Sequence, residues 1–556
     1  MTRVVCESLQ IEIGEGPGFP ARVESAGHVV CAAGRQQILV RSLLDPSEPA
    51  FLVPTRRLSS PEGTVRLAFV DESKHASAEL TLAPSPDGIR CSCTVKSRQP
   101  VWLFEWRLDG LALDQMVIPA LGGQALSSAM PVDTTMSYKY PFWWSAQFAV
   151  GMAGPGGIWL SAREKQAHLK LLRIRRYVEG FALTYGVEAV GPVASRSLAG
   201  TWYLDGFRGD WTVPVEKYRP WMEQAFQPVK LAANPYVPPW FYGVNAVLEL
   251  WGMRKDQGTP HHTFAQMEER LRAWEKIHPP ARTLVYLPGF AEHGIDSHAP
   301  DYDPSEQLGG QRGFKRLVDT AHRMGYRVMI HTNALAMTFT HRLYRRFRKH
   351  QVVDVFGRAQ GWALDIDGDW LAEPYFAYMN PGAPAWTKLM EGIIGRLIRK
   401  YKVDGVFLDQ TLLAFNVARG PNFMEGMRAH IGRLQRAFPH VLFAGEGMHE
   451  HVLAVLPMAQ IHGIDSITEV HGLDHQVRWR TAHPVSTRLF SPYTRFVAHL
   501  LTRHPSNPVF ALQEKAYAEL GVIPALCLYD AAQPVETPEA HAMAARANSI
   551  APIASP

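Results

Sequence analysis

The sequence predicts an all-β domain followed by a (β/α)8 barrel, because its texture changes once along the 556 residues. Residues 1–235 carry short runs rich in Val, Leu, Ile and aromatic residues between Gly, Pro, Asp and Ser clusters, which is typical of an antiparallel β-sandwich. From Trp240 onward, strand-like apolar runs alternate with amphipathic helical segments, which predicts a parallel sheet. The chain is longer than one hydrophobic core usually supports, so two large domains are expected.

Composition argues against several classes of protein. The formal net charge is +5 without long Lys/Arg blocks, so nucleic acid is not expected to be the main partner. The N-terminus has no apolar run of signal-peptide length, and no stretch reaches about 18 consecutive apolar residues, so we expect a cytoplasmic protein that makes no contact with membranes. Five cysteines are few and odd in number, which argues against a disulfide framework. No metal or organic cofactor is expected.

A connecting helix and a proline-rich joint mark the predicted domain boundary. In GDWTVPVEKYRPWMEQAF an aspartate precedes apolar residues at helical spacing, namely Val215, Tyr218, Trp221 and Met222. The joint at 234–239 follows. We therefore predict a sandwich domain with its linker helix at 1–235 and a catalytic barrel at 236–556.

Eight strand-like segments are expected in the barrel. They are 240–250, 283–289, 326–337, a strand ending at Asp409, another ending at Glu446, 461–472, a poorly defined segment around 483–496, and 521–530. In such barrels the catalytic groups come from the C-terminal ends of the strands and the loops that follow.

Two carboxylates at the ends of successive strands form the candidate catalytic pair. The apolar run Val406–Leu408 leads to Asp409, and Val441–Phe443 leads to Glu446, as expected for buried parallel strands. Between them, 421–438 has the apolar spacing of a crossover helix. Asp409 could instead cap a helix, but the occurrence of both strand-end acids favours catalysis.

Further polar and aromatic residues are candidate sugar-binding groups. His331 and Asn333 end the third strand, where they would either bind hydroxyls or hydrogen-bond to neighbouring strands. Aromatic rings cover the apolar faces of sugars, so Trp143 and Trp251 are candidates, although core packing explains most aromatics of this kind. The remaining candidates lie after the second strand and in the sixth-strand region: Glu292, Glu469 and His471.

Short blocks in the barrel resemble those of a known enzyme superfamily. GYRVMIHTN, VDGVFLDQ, AGEG and GIDSITEV occur in the order and approximate spacing of the conserved blocks of retaining α-glycosidases related to the α-amylase family. GDWTVPVEKYRPWM, between the predicted sandwich and barrel, is similar in arrangement to the endo-α-N-acetylgalactosaminidase relatives. The resemblance extends over most of 240–530 in layout.

The resemblance implies a retaining hydrolase of α-linked oligo- or polysaccharides, with Asp409 as nucleophile and Glu446 as general acid/base. Such chemistry needs one ionised carboxylate and one protonated carboxyl about 5 Å apart, and proceeds through a covalent glycosyl-aspartate from which water or an acceptor sugar takes the glycosyl group. Two features depart from the α-amylase pattern. Phe407 stands where an arginine is usual, and the seventh-strand segment HPVSTRLFSPYTRF contains no carboxylate.

Two alternatives stay open. In a different clan, which contains α-galactosidases and many α-glucosidases, the acid/base is an aspartate on strand six, which would be Asp465 here with Glu446 in support. A non-catalytic carbohydrate-binding protein is the alternative from another class, since fold does not dictate function. A carbohydrate is the expected partner in either case, imported oligosaccharides being the expected source, and the oligomeric state, including a homo-oligomer, is left open.

Overall fold

A computed structural model describes residues 2–15, 18–73, 75–127, 130–254, 260–365, 371–461, 479–498 and 504–553. The chain divides into two compact units. The first comprises Met1–Phe226, Asn416–Arg419 and Gly463–Leu489, and the second comprises Gln227–Phe415, Gly420–His462 and Phe490–Pro556. The domain boundary after residue 235 stays a prediction; the main segment of the first unit ends earlier, at Phe226.

Antiparallel strands build the first unit. In the described residues, strands β1 to β18 are Thr2–Val5, Leu9–Ile13, Ala21–Ser25, His28–Gly34, Gln36–Ser42, Ala50–Ser59, Val65–Val70, Ala76–Ser85, Gly88–Ser97, Val101–Leu111, Gln115–Ile118, Gln124–Ser127, Thr135–Tyr140, Phe148–Ala153, Gly156–Ser161, Lys170–Tyr177, Gly180–Glu188 and Ser197–Arg208. One series of pairings runs β1–β2–β3–β4–β10–β17–β16–β13, and another runs β7–β8–β9–β18–β15–β14–β11–β12. Strand β6 pairs with β5 and with β7.

Alternation of buried and exposed side chains gives this unit its core. In β8 the buried positions are every second residue, as expected for strands with one face toward a core. Large rings fill the interior: Trp202 lies 5.3 Å from Trp106 and 5.2 Å from Tyr185, centroid to centroid. The predicted β-sandwich is confirmed.

The helices, within the described ranges, have the following bounds. Helices α1 to α9 are Thr212–Phe226, Phe264–Glu275, Gly310–Met324, Tyr344–Phe347, Pro384–Tyr401, Phe423–Ala437, Val485–Phe490, Phe510–Leu520 and Pro538–Ser549. Short 3-10 helices occupy Leu231–Ala233, Pro239–Gly243, Pro280–Arg282, Glu306–Leu308 and Arg348–His350. Where the chain is described, no helix combines the length and the apolar character needed to traverse a bilayer.

Strands of the second unit form a parallel barrel. Strands β19 to β29 are Ala246–Leu250, Thr283–Leu287, Arg327–Asn333, Ala336–Thr338, Gly361–Leu364, Glu373–Tyr378, Gly405–Asp409, Leu442–Gly445, Met458–Gln460, Arg495–Val497 and Ala525–Leu528. Eight of them pair in the order β28-β27-β26-β25-β21-β20-β19-β29. A parallel bridge between Val497 and Ile523 joins the two ends of this series. The predicted (β/α)8 barrel is confirmed.

Local sequence explains the helices between the barrel strands. Helix α2 begins with a capping box, in which the Thr263 side chain accepts from the Gln266 N–H and the Gln266 side chain accepts from the Thr263 N–H. The crossover helix predicted at 421–438 is α6, and the Asn422 side chain caps it by accepting from two backbone N–H groups. These helices carry the chain back so that successive strands are parallel.

Three strand predictions need correction. The first strand begins at Ala246, because Pro239–Gly243 forms a 3-10 helix instead. The sixth strand is β27, which lies before the segment predicted at 461–472, and that segment lies outside the described residues after Ile461. The seventh is β28, because most of the predicted segment around 483–496 is taken up by helix α7 and the turn after it.

A small antiparallel sheet after the third barrel strand was not predicted. Strand β24 pairs with β22 on one side and with β23 on the other. This small sheet begins shortly after the end of β21 and therefore belongs to the loops on the C-terminal face of the barrel, where barrel enzymes place their active sites.

Candidate active site

Asp409 and Glu446 come from neighbouring strands at the same edge of the barrel. Asp409 is the last residue of β25, and Glu446 directly follows β26. Leu408 pairs in register with Gly445, so the two acids take the next positions on adjacent strands. The backbone N–H of Gln410 donates to Oε2 of Glu446 at 2.8 Å. The structure therefore brings the predicted pair together, with both side chains half-buried.

Two buried tyrosines experience the charge of both acids. Burial, and next the charge of Asp409, raises the pKa of Tyr286 and that of Tyr378 well above the usual range, and Glu446 adds to both shifts. Both hydroxyl groups therefore stay protonated near neutral pH. Tyr378 also accepts a hydrogen bond from the side chain of Gln410 at 3.2 Å.

The amide of Asn333 links two carboxylates. Asn333 pairs in register with Asp409 across β21 and β25. Its Nδ2 donates to Oδ2 of Asp409 at 3.1 Å and to Oδ2 of Asp296 at 3.0 Å. Asp296, in the loop after β20, is buried with 1% of its surface exposed. Asp296 is thus linked to Asp409, the candidate nucleophile, through the side-chain amide of Asn333.

His331 lies beside the same buried acid. Its Nε2 is 3.2 Å from Oδ1 of Asp296, and its Nδ1 is 2.7 Å from the hydroxyl of Tyr286. The imidazole stacks on the ring of Phe407, with centroids 5.7 Å apart and an interplanar angle of 27°. Phe407, in the strand that ends at Asp409, is therefore an apolar support for His331.

Backbone conformation at the site is unusual in two places. Gln410, next to Asp409, has a φ of 62°, and Asp296 has a φ of 56°. Residues with a side chain rarely adopt this left-handed region, and such conformations concentrate at functional sites. At Gly445 a Cβ would lie 2.5 Å from Oγ1 of Thr411, so any larger residue there would force a neighbouring side chain to shift.

The histidine nearest to Glu446 in the sequence is uncharged. His449, three residues further on, is buried, and burial lowers its pKa to about 4. It is therefore neutral at pH 7 and does not favour the ionised form of Glu446.

One group of side chains has the composition of a metal site. Ligand atoms of Asp296, His331 and Asp409 lie within 4.8 Å of one another. Nδ2 of Asn333 donates to an oxygen of each aspartate, however, so those two oxygens face an N–H donor and not a common cation. The geometry favours a hydrogen-bonded network.

The other predicted binding residues are engaged with protein in the structure. Trp251 is buried and stacks on Tyr529, with ring centroids 5.1 Å apart. Oε1 of Glu292 accepts from the Glu306 N–H at 2.7 Å. Trp143, in the first unit, is half-buried against Phe142 at 4.1 Å. Sugar binding by Trp143, Trp251, Glu292, His331 and Asn333 stays a prediction, and Asp465, Glu469 and His471 lie outside the described residues.

Sequence reasoning missed several members of the site. Asp296 and Tyr302 lie in the long loop after the second barrel strand, which is rich in His, Asp, Pro and Gly and has no apolar pattern to single out either residue. Tyr286 lies inside an apolar strand, where it looked like core. Gln410 gave no signal apart from its place beside Asp409.

Fold and site together define a barrel with two acids at adjacent strand ends, an arrangement that suits glycoside hydrolysis. A family model described as a domain of unknown function (DUF6259) matches residues 197–458. No curated protein matches the sequence.

Solved glycosidases have the same fold. The ligand-free α-N-acetylgalactosaminidase NagBb from Bifidobacterium bifidum has a TM-score of 0.73 and 15% identity, over 99% of this chain and 94% of that one. Its GalNAc complex has a TM-score of 0.71 and 14% identity, over 99% and 93%. The α-galactosidase TtGalA from Thermus thermophilus has a TM-score of 0.52 and 14% identity, over 88% and 94%. At these identities the likeness shows the fold alone; a relation to α-amylases is not among these findings.

Proposed function

We propose that the protein is a retaining glycoside hydrolase of α-linked sugars, with Asp409 as nucleophile and Glu446 as general acid/base. The observation that carries the proposal is the hydrogen bond from the Gln410 N–H to Glu446, together with the register of the two strands. Neighbouring strands lie about 4.8 Å apart. Side chains at the same position on neighbouring strands can therefore approach to the roughly 5 Å that retaining enzymes need between their carboxyls, whereas inverting enzymes hold them roughly 6.5 to 9.5 Å apart.

Each acid would act twice. Asp409 attacks the anomeric carbon while Glu446 protonates the departing oxygen, which gives a β-linked glycosyl-aspartate from an α-glycoside. Glu446, now ionised, then removes a proton from water or from an acceptor sugar, whose oxygen displaces Asp409. Transglycosylation thus competes with hydrolysis at the same intermediate.

The first substrates to test are α-N-acetylgalactosaminides and α-galactosides. The chain shares its fold with an α-N-acetylgalactosaminidase over nearly its whole length, and with an α-galactosidase over most of it. Because unrelated activities occur on one fold, this choice is only a starting point for a panel of nitrophenyl sugars.

Substitution of each acid separates their roles. We expect Asp409→Asn to lower kcat by about 10³-fold or more, because no ionised carboxylate remains to attack. Glu446→Gln should spare activated aryl glycosides far more than substrates with poor leaving groups, and azide should restore its turnover of the aryl substrates. The measurement is kcat and KM of each variant on substrates of both leaving-group classes.

A matched control lies on the same strand. Asp404 precedes β25 at the opposite end of the barrel strand, where it binds Arg327 at 3.0 Å and His322 at 2.7 Å. Asp404→Asn should lower stability and leave kcat nearly unchanged. Full activity of Asp409→Asn would refute the nucleophile assignment. If Glu446→Gln cleaved both substrate classes normally while Asp465→Asn did not, the acid/base would be Asp465.

A further inference from the structure

We propose that Asp296 is a positioning residue that acts on Asp409 through the amide of Asn333. The inference rests on the proposed function, since it takes Asp409 as the nucleophile. A nucleophile must be held in attack geometry, and a hydrogen bond from a fixed donor is one way to hold it. The donor on Asp409 is Nδ2 of Asn333, and its second acceptor is Asp296.

The amide of Asn333 has a defined orientation. Its Oδ1 accepts from the N–H groups of Leu335 and Ala336, both at 2.9 Å. Nδ2 must then point the opposite way, toward the two aspartates. Two acceptor and two donor positions are all that an amide side chain offers, and all four are occupied here. Asn333 is therefore built to orient a carboxylate, and a substrate hydroxyl would have to displace an existing bond.

Asp296 is itself held from a second side. The hydroxyl of Tyr302 donates to Oδ1 of Asp296 at 3.2 Å and accepts from the Asn333 N–H at 2.8 Å. Burial raises the pKa of Tyr302 well above the usual range, so this hydroxyl keeps its proton. Tyr302 thus links the side chain of Asp296 to the backbone of Asn333, the residue whose amide Asp296 orients.

His331 completes the hold on Asp296. Tyr286 also keeps its proton, so it can donate to Nδ1 of His331 at 2.7 Å. An imidazole that accepts at Nδ1 carries its hydrogen on Nε2, which faces Oδ1 of Asp296 at 3.2 Å. The Asp296 carboxylate receives hydrogen bonds from Tyr302, His331 and Asn333, as a buried charge requires.

Charge adds a second effect of Asp296 on the nucleophile. A neighbouring negative charge disfavours the ionised form of a carboxyl group. Removal of the charge should therefore extend the ionised range of Asp409 to lower pH. In the part of the chain that the structure describes, the other titratable groups linked to this pair are His331, Tyr286, Tyr302, Tyr378 and Glu446, and Glu249 lies beyond Tyr286.

The test is a double-mutant cycle on the full chain, with the best nitrophenyl α-glycoside of the panel. Asp296→Asn and Asn333→Ala should each lower kcat about tenfold or more with KM changed by less than about threefold, and the double variant should be no worse than Asn333→Ala by more than about threefold. The acid limb of the kcat/KM profile should move to lower pH in Asp296→Asn.

Two further variants serve as controls. Asp301 lies in the same loop and has an analogous partner in His341, at 3.1 Å, so it is a matched control for Asp296. Asp301→Asn should have the kcat and KM of the wild type. If Asp296→Asn does not fold, Tyr302→Phe replaces it in the cycle, because it removes a donor to Asp296, together with the acceptor of the Asn333 N–H, and keeps both carboxyl groups.

The outcomes distinguish the two proposals. Multiplicative losses in the double variant, an unmoved acid limb, or a raised KM with normal kcat would overturn the positioning role of Asp296. An active Asp409→Asn would instead overturn the proposed function. An inactive Asp409→Asn with an unaffected Asp296→Asn would leave the function standing and remove only the role of Asp296.

Discussion

Glu249 shows how the barrel interior changes the chemistry of a single residue. It pairs in register with Tyr286 on one side and Cys527 on the other, and only 1% of its surface is exposed. Burial raises the pKa of Glu249 to about 8. Because this pKa is above the ordinary value of 4.5, the folded protein disfavours the ionised form of Glu249. The contribution of this group to the free energy of unfolding is therefore complete below pH 4.5 and is lost as the pH rises through about 8.

Glu249→Gln should therefore remove a pH dependence. Each unit of pKa shift corresponds to about 1.36 kcal/mol, so the buried carboxyl is worth several kcal/mol between acid and alkaline conditions. We expect the melting temperature of the wild type to fall more between pH 5 and pH 8.5 than that of the variant. Equal slopes for the two proteins in thermal scans would refute the neutral buried state.

Residues of the site differed in how well the sequence predicted them. Asp409 and Glu446 were predictable because a buried apolar strand defines the position and direction of the residue that ends it. Asp296 was not, because its loop also contains Asp301 and Asp303, and a left-handed backbone with tertiary hydrogen bonds decides which acid turns inward. His331 and Asn333 were identified, and they hydrogen-bond to the neighbouring strands through Tyr286 and Asp409, which was one of the two options; their shared partner Asp296 was not identified.

At the scale of elements, the site depends on the close approach of two strand ends. Strand β26 ends at Gly445, where an added Cβ would lie 2.5 Å from Oγ1 of Thr411 and 2.6 Å from Cδ1 of Leu456. Thr411 follows Gln410, whose N–H holds Glu446. Any shift here moves Glu446 relative to Asp409.

Gly445→Ala should therefore damage both stability and catalysis. Overpacking of this kind costs about 1 to 3 kcal/mol, and we expect kcat to fall more than KM changes. Gly392, on helix α5, is the matched control, because an added Cβ there meets no atom within 4 Å. Gly392→Ala should be neutral or stabilising by about 0.5 to 1 kcal/mol. Similar behaviour of the two variants in denaturation and activity assays would contradict this account.

Elements themselves were predictable in proportion to their length. Strands β20, β21 and β25 have five to seven residues, of which four to six are buried, and were identified. Strands β27 and β28 have three residues each, too few for an apolar pattern, and were misplaced by several positions. The small sheet of β22, β23 and β24 was missed because cross-strand pairing within a long loop leaves little local signal.

The whole molecule has a β-sandwich unit and a parallel barrel unit, and the change of texture near Trp240 was enough to predict both. Architecture alone does not decide the reaction. The proposed chemistry depends on two carboxylates at adjacent strand ends, which imposes a single stereochemical outcome on the whole enzyme. An assay of that outcome tests fold, pairing and mechanism together.

The most direct test is the anomeric form of the first product, followed by proton NMR during cleavage of the best α-linked substrate. Double displacement at Asp409 predicts that the α-anomer appears first and then mutarotates toward the equilibrium mixture. Initial release of the β-anomer would show a single displacement and would contradict the proposed role of Asp409.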